Sequence, residues 1–334
     1  MILSLLTRAA IAQDLIPVEL GIDLVPTVGT SAALMGTDRR SLSLSLLGGY
    51  AGAVDGVELS MGVNIDRYTL DGLQLAGVAN LVGVGAEGIQ GASVLNLVGG
   101  SVDGIQVSGG VNLVGGMVDG VQVATAGNVV GGSVDGIQVS GGVNLAAGIE
   151  GVQLAPVNLA GDVAGVQIGV VNIARTSDLS LGVVNVILEG RTHLDVTVDE
   201  LGLGTVALKH GGAGFHYIYS LGLRPGAQGA WMPALGLGGH REWRRVFMDT
   251  EVVSGPLIEH WEPLGLRLRT TGRLIGGLTL TERIAVIAGP SYSVLLTESC
   301  GPQHQGSGAH VLSAEASPVS AQGWPGVVVG IELL

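Results

Sequence analysis

The chain reads as all-β: a parallel β-solenoid of 16-residue coils, shortening to about 14, followed by an antiparallel β-sheet that forms a cap or a partial barrel. Three observations predict this. An asparagine recurs every 16 residues at Asn64, Asn80, Asn96, Asn112, Asn128 and Asn144, and such a strict period marks a stacked repeat. Six residues before each sits Glu58, Gln74, Gln90, Gln106, Gln122 or Gln138, and three residues earlier again Asp55, Asp71, Glu87, Asp103, Asp119 or Asp135, each followed by glycine. Of the 11 aromatic residues only Tyr50 and Tyr68 precede residue 200, so the first half packs without large rings and the second does not.

Taken in order, residues 1–12 form a small apolar patch ending Ala10-Ile11-Ala12, the small-x-small form of a signal-peptidase site, and read either as the remnant of a signal peptide or as a first strand. Residues 13–54 read as N-terminal strands. Residues 55–190 are the solenoid. One unit, Val102 to Gly116, runs VDGIQVSGGVNLVGG, two short β-favouring pieces separated by glycine pairs. Read as one straight strand, it places Ile105, Val107, Val111 and Leu113 on one face and Gln106, Ser108 and Asn112 on the other, the alternation of a membrane strand. The last repeats separate the two possibilities. From Gln153 to Asn158 and from Gln167 to Asn172 the spacing is five rather than six, which would flip asparagine to the other face of a straight strand but is absorbed by a corner. Pro156 sits at that junction, where a bend suits it better than a ladder. The stretch Thr69 to Gly214 also lacks the aromatic girdles of a lipid-facing barrel. Two strands and a corner per coil, with an interior of Val, Ile and Leu, is the expectation.

Stacking converts each repeated residue into a column. The columns Gln74, Gln90, Gln106, Gln122 and Gln138, and Asn64 to Asn144, are either structural amide ladders or a flat recognition face for a repetitive glycan or protein partner. In the acid column Asp bonds local backbone and Gly supplies positive φ. Carboxylates about 4.8 Å apart repel one another, and this makes Asp103, Asp119 and Asp135 weak candidates for a cation in a calcium-binding β-roll-like module. One acid per coil is sparse for calcium, and Gly115-Gly116-Met117-Val118-Asp119 fits the β-roll pattern poorly. Gly83 to Gly88 matches the dinucleotide glycine pattern only as a by-product of the repeat.

The units GIQVSGGVNLVGG (Gly104 to Gly116) and GVQIGVVNIA (Gly165 to Ala174) resemble a bacterial surface-repeat family with Gly-Val-Gln, Gly and Val-Asn repeats. Ser41 to Ser60 is similar to the segment leading into that repeat and Arg191 to Leu223 to the segment leaving it, so the resemblance covers most of 41–223. Gly110 departs from it, where the family has a larger aliphatic. The resemblance implies an exported cell-envelope protein of a Gram-negative bacterium, at the surface or outer membrane, with no catalytic residues.

Residues 191–298 change to longer strands. Phe215, Tyr217, Tyr219, Leu221 and Leu223 alternate with His216, Ser220 and Gly222, a half-buried sheet. It either caps the solenoid or forms a small membrane barrel with Trp231, Trp243 and Trp261 near the interfaces; six to eight candidate strands lie at the lower limit for a barrel. Residues 299–334 read as a polar loop and a final strand. That loop holds Cys300, His304 and His310, weak candidates for zinc or copper. A single cysteine leaves the redox compartment open.

Residues 41–174 carry ten acids against one base, Arg67, within a net charge of −13. Such a surface repels nucleic acid phosphates and anionic lipid headgroups, so neither is expected as a partner of the repeats. Among the sequence motifs there is no nucleophile elbow and no zinc-peptidase helix, so no enzyme and no cofactor are expected. An enzyme would need a pocket near Asp195, Asp199, Glu200 and His210. The expected role is a non-enzymatic surface repeat protein, with an outer-membrane barrel acting as pore or anchor as the alternative and an envelope component, glycan or protein as partner.

Overall fold

The computed structural model describes residues 15–212, 214–226, 229–259, 267–298, 312–316 and 319–333. The chain divides into two compact units, Met1–Leu188 and Glu189–Leu334. The apolar patch of residues 1–12, Trp261, Cys300, His304 and His310 lie outside the described residues.

The first unit is a parallel β-solenoid of about nine turns. Each coil contributes a longer strand such as Ser101–Ser108 and a shorter one such as Val111–Val114. Every strand pairs in parallel with its equivalent one coil away: Gln106 sits opposite Gln90 and Gln122, and Asn112 opposite Asn96 and Asn128. The shortened coils keep this register, with Gln153 opposite Gln138 and Asn158 opposite Asn144. The missing residue is lost from the turn at Ala155-Pro156, as the corner requires. Stacking starts earlier than the repeat does, because Ile16–Val25 already pairs in parallel with Asp38–Ser45. The segment expected as separate N-terminal strands therefore belongs to the stack.

The interior differs from the expected aliphatic core. One layer is apolar, built from Leu70, Val82, Val98, Val102, Val114, Val118, Val130, Val134 and Ile149. The other is made of amides, and Gln74 to Gln167 and Asn64 to Asn172 are all 0–1 % exposed. A recognition face formed by these residues is thereby overturned, since no partner can reach them. Outward instead point aliphatic columns. One runs through Leu42, Val57, Leu73, Ile89, Ile105, Val121 and Ile137, and its neighbour through Leu44, Leu59, Leu75, Gly91, Val107, Val123 and Val139. On the shorter strands, columns through Leu95, Val111 and Val143 and through Leu97, Leu113 and Leu145 do the same.

Burial of so many amides is tolerated because each is paired. Gln106 Nε2 donates to Gln90 Oε1 and accepts at Oε1 from Gln122 Nε2, both at 2.7 Å. Asn112 Nδ2 donates to Asn128 Oδ1 at 2.8 Å and to the Val123 carbonyl at 2.9 Å, tying the shorter strand to the longer one. The two ladders run in opposite senses: glutamine donors point toward the N-terminus and asparagine donors toward the C-terminus. At the far end Ser180 Oγ donates to Gln167 Oε1, completing the glutamine ladder.

Its N-terminal end meets carboxyls. Gln74 Nε2 donates to Glu58 Oε2 and Asp66 Oδ2, both at 2.7 Å. Beyond them Arg40 is buried, bonding Asp38 and Asp23 at 2.6 Å and the Tyr50 carbonyl at 2.8 Å. Burial, and then the neighbouring Glu58 charge, pushes the Asp66 carboxyl well above its ordinary 3.8, and burial raises Glu58 above 4.5.

The turn chemistry follows the acid column. After each acid the glycine has positive φ, +135° at Gly104 and +133° at Gly120, a conformation that side chains resist. A Cβ at Gly104 would also collide with the Gly88 carbonyl of the adjacent coil.

Replacing Gln122 by Leu leaves Gln106 Oε1 and Gln138 Nε2 without their ladder partners; the expected loss, read from the urea midpoint, is about 2–5 kcal/mol. The outward Val123→Thr should stay within about 0.5 kcal/mol. The carboxyl pair gives a pH dependence of fixed sign. With folded values raised, its stabilising contribution is full below the ordinary values of 3.8 and 4.5 and is lost as pH rises through the raised ones. Amide protection over Gly48–Ala76 should therefore fall with rising pH in the parent chain, fall less in Asp66→Asn, where Glu58 alone still titrates, and hold level in Glu58→Gln with Asp66→Asn.

Candidate functional site

The second unit holds the concentration of charge. Eight antiparallel strands, Arg191–Asp199, Gly204–Gly211, Phe215–Arg224, Ala230–Trp243, Val246–Pro256, Arg267–Thr281, Ile284–Glu298 and Val319–Leu333, pair each with the next. The last returns to the first: Leu194 to Asp199 pair with Leu333 to Val328. The sheet is closed, an eight-stranded barrel, and the final strand, which suited a cap or a barrel in the sequence, is the element that closes it. A short strand, Leu312–Ala316, flanks the other half of the final strand.

Alternation sorts the side chains. Leu221, Leu223, Leu235, Leu237, Val252, Val329 and Ile331 are 41–55 % exposed on the outer wall. Between them His216, Lys209, Asp195, Asp249, Glu251, Arg269 and Glu332 are buried. The sheet is thus half-buried in the opposite sense from a water-soluble one, with its charged row inside.

Lys209 Nζ is the hub. It lies 2.6 Å from Glu251 Oε1, 2.8 Å from Asp249 Oδ2, 2.9 Å from Asp195 Oδ2 and 3.4 Å from Glu332 Oε2. Direct cross-strand partners complete the set: His240 Nδ1 with Asp249 at 2.7 Å, and Arg273 Nε with Glu251 at 2.5 Å. His216 Nε2 reaches Glu251 at 3.1 Å, and its cross-strand neighbour Gly238 leaves room for the ring, which a Cβ would strike. A second group joins Arg269 to Asp199 at 2.7 Å and to Ser293, while Trp324 Nε1 donates to Glu200 at 2.7 Å. Two of these pairs, His240–Asp249 and Arg273–Glu251, stand in direct cross-strand register, where opposite signs attract most; Asp195 and Glu332 are also directly opposite, and Lys209 lies between their like charges. Cavities of about 40 Å³ beside Arg269 and Arg273 and about 20 Å³ beside Lys209 and His240 remain between them.

Compared with known proteins, the chain matches no family model, no curated protein and no solved structure. Geometry alone therefore carries the functional assignment. Among the described residues, no helix is long and apolar enough to cross a membrane.

The four residues suggested for an enzyme are not one site. Asp195 faces Lys209, Asp199 and Glu200 face Arg269, and His210 bonds Thr192 near the surface. His216, Asp249 and Glu251 have metal-ligand spacing, but the Lys209 ammonium already occupies the position between the two carboxylates. Asp103, Asp119 and Asp135 stand exposed, one per coil, in direct register. Lys209, Asp249, Glu251, Arg273 and Glu332 escaped the sequence reading. Their signal was a polar residue alternating with aliphatics, as in Val206-Ala207-Leu208-Lys209 and Val246-Phe247-Met248-Asp249.

Removing the hub by Lys209→Met takes the shared ammonium from four buried carboxylates. Asp249, Glu251 and Glu332 keep His240, Arg273 and His193, while Asp195 loses the cation that faces it, and loss of one partner of a buried ionic group costs about 3–5 kcal/mol. Melting followed by near-ultraviolet circular dichroism in detergent should show a clearly lower midpoint for this variant than for the exposed Arg241→Met.

Proposed function

We propose that the protein is a non-enzymatic cell-envelope protein held in an outer membrane by its C-terminal barrel, with the repeat solenoid as its structural and interaction body. The observation that carries this reading is the inverted barrel, closed by the pairing of its first and last strands, with an aliphatic outer wall and a buried ionic row inside. Closed barrels are one of the two structures able to span hydrocarbon, because every backbone polar group is satisfied within the sheet. Eight strands is the smallest size of the membrane class.

The outer wall supplies a second support. Trp231 and Trp243 share the outward register of Ala230–Trp243 with Leu235 and Leu237 between them. Twelve residues at ~3.4 Å, tilted by ~40°, separate the two rings by about 30 Å along the barrel axis, close to the ~25 Å apolar band between aromatic girdles. Beyond Trp243, the exposed Arg244 and Arg245 form the hairpin turn, with Arg244 at φ +59°, where cations suit lipid headgroups. The role is anchor rather than pore, since among the described residues the lumen is occupied by ion pairs, with cavities of about 40 and 20 Å³ between them. Export and a Gram-negative envelope agree with the surface-repeat resemblance of residues 41–223.

Leu237 lies midway between the two tryptophans. Leu237→Arg should destabilise the detergent-folded protein by about 2–4 kcal/mol if the wall faces lipid, against about 0.5 kcal/mol or less if it faces water. The parent chain should stay with membranes through a urea wash and migrate faster on gels before boiling than after. Release by the wash without a heat shift would sink the anchor.

A further inference from the structure

From Ser60 to Leu188 every charged side chain that reaches the surface lies along one edge of the solenoid. Asp71, Glu87, Asp103, Asp119, Asp135 and Glu150 form its column. Arg67, Asp162, Arg175 and Asp178 fall on the same side, between the end of a shorter strand and the positive-φ glycine position of the next coil. The rest of the perimeter carries no charge. It consists of the aliphatic columns through Ile105 and Val107 on one side and through Val111 and Leu113 on the other, joined by a turn edge. That edge exposes Met61 by 73 %, Val94 by 54 % and Val170 by 54 %, with the uncharged Ser93, Thr125, Gly109 and Gly141 exposed among them. Near the N-terminal end, the apolar perimeter hollows into a groove of about 900 Å³ between Ile22, Leu44, Leu59, Met61 and Leu75.

We propose that the solenoid is itself a membrane-lying body, sunk lengthwise into the lipid interface with the Met61–Val94–Val170 edge in hydrocarbon and the acid edge in water. As in an interfacial amphipathic helix, an apolar face is segregated from a charged one, here with an acidic edge in place of a basic one. About nine coils at ~4.8 Å give an apolar keel roughly 43 Å long. Lipid is favoured over a second copy of the chain because the perimeter lacks what fixes a protein interface. It has no Trp or Arg anchor and no polar rim on the two aliphatic sides. Its identical rungs would also let a second copy slide from one register to the next, whereas acyl chains demand no register. Charge sets the orientation, since the acid edge is repelled by anionic headgroups. The solenoid's own perimeter carries this inference, independently of the barrel.

The test uses the full chain in a Cys300→Ala background, reconstituted in phosphatidylcholine vesicles whose acyl chains carry bromine. A fluorophore is attached at Val94→Cys, Val170→Cys, Asp103→Cys or, for the barrel wall, Leu237→Cys. Labels at 94 and 170 should be quenched about as strongly as the label at 237, and the label at 103 several-fold less. Adding Val94→Asp to the 170-labelled chain should abolish most of its quenching. Quenching at 237 alone overturns the lipid-lying solenoid and leaves the barrel reading standing, while quenching at 94 and 170 alone does the reverse. Labels at 94 and 170 shielded from water but unquenched by bromine would put a second copy on that edge and overturn the lipid assignment. Equal quenching at 103 would overturn the orientation.

Discussion

Amide-to-amide hydrogen bonds along the axis of the solenoid are the interaction on which the rest of this architecture depends. A coil of 16 residues is too small to bury all its aliphatics, and this one places Gln and Asn inside. That choice would be ruinous if the amides were unpaired, because each orphaned group would cost more than its net worth when bonded. The regular parallel register supplies every inner rung with a neighbour of identical chemistry, so the interior can be polar and the exterior aliphatic. The barrel reaches the same inversion by other means. Its inner row is too varied for ladders and is satisfied by cross-strand ion pairs around Lys209.

The two units therefore share one feature, a row of buried polar groups satisfied by partners and set beside a buried apolar cluster, with aliphatic columns facing outward. They differ in how much each residue matters. A ladder spreads the demand over equivalent rungs, whereas the barrel gathers it at one ammonium and four carboxylates. At the first rungs of the solenoid the two designs meet. There Glu58, Asp66 and Arg40 close the glutamine ladder with charge where an amide partner would otherwise be needed.

Much of the solenoid was legible in the sequence because its period is strict. The parallel register, the two-strand coil and the corner at Pro156 all follow from spacing. Which parity faces inward was not legible. Val102 and Val114 are inside while Ile105, Val107 and Leu113 are outside, so aliphatics occupy both parities and alternation alone cannot choose between them. In the barrel the alternating row Leu221 and Leu223 was visible, but its partners were scattered. Lys209 meets Asp249 over 40 residues and Glu332 over 123, separations at which no spacing rule operates. Closure depends on Arg191–Asp199 finding Val319–Leu333, a pairing that no local pattern announces. The turn glycines were read correctly because positive φ is a local demand.

The opposed sense of the two amide ladders has a consequence for length. Each ladder alone would accumulate a macrodipole with every added rung, as a helix does. Gln donors point one way and Asn donors the other, so the two moments largely cancel within each coil. Adding or deleting a whole coil then changes the length of the body by one strand spacing without building field at its ends. Each added coil brings one more exposed acid but no ladder dipole, and the solenoid is in effect a ruler whose graduations can be multiplied by simple duplication.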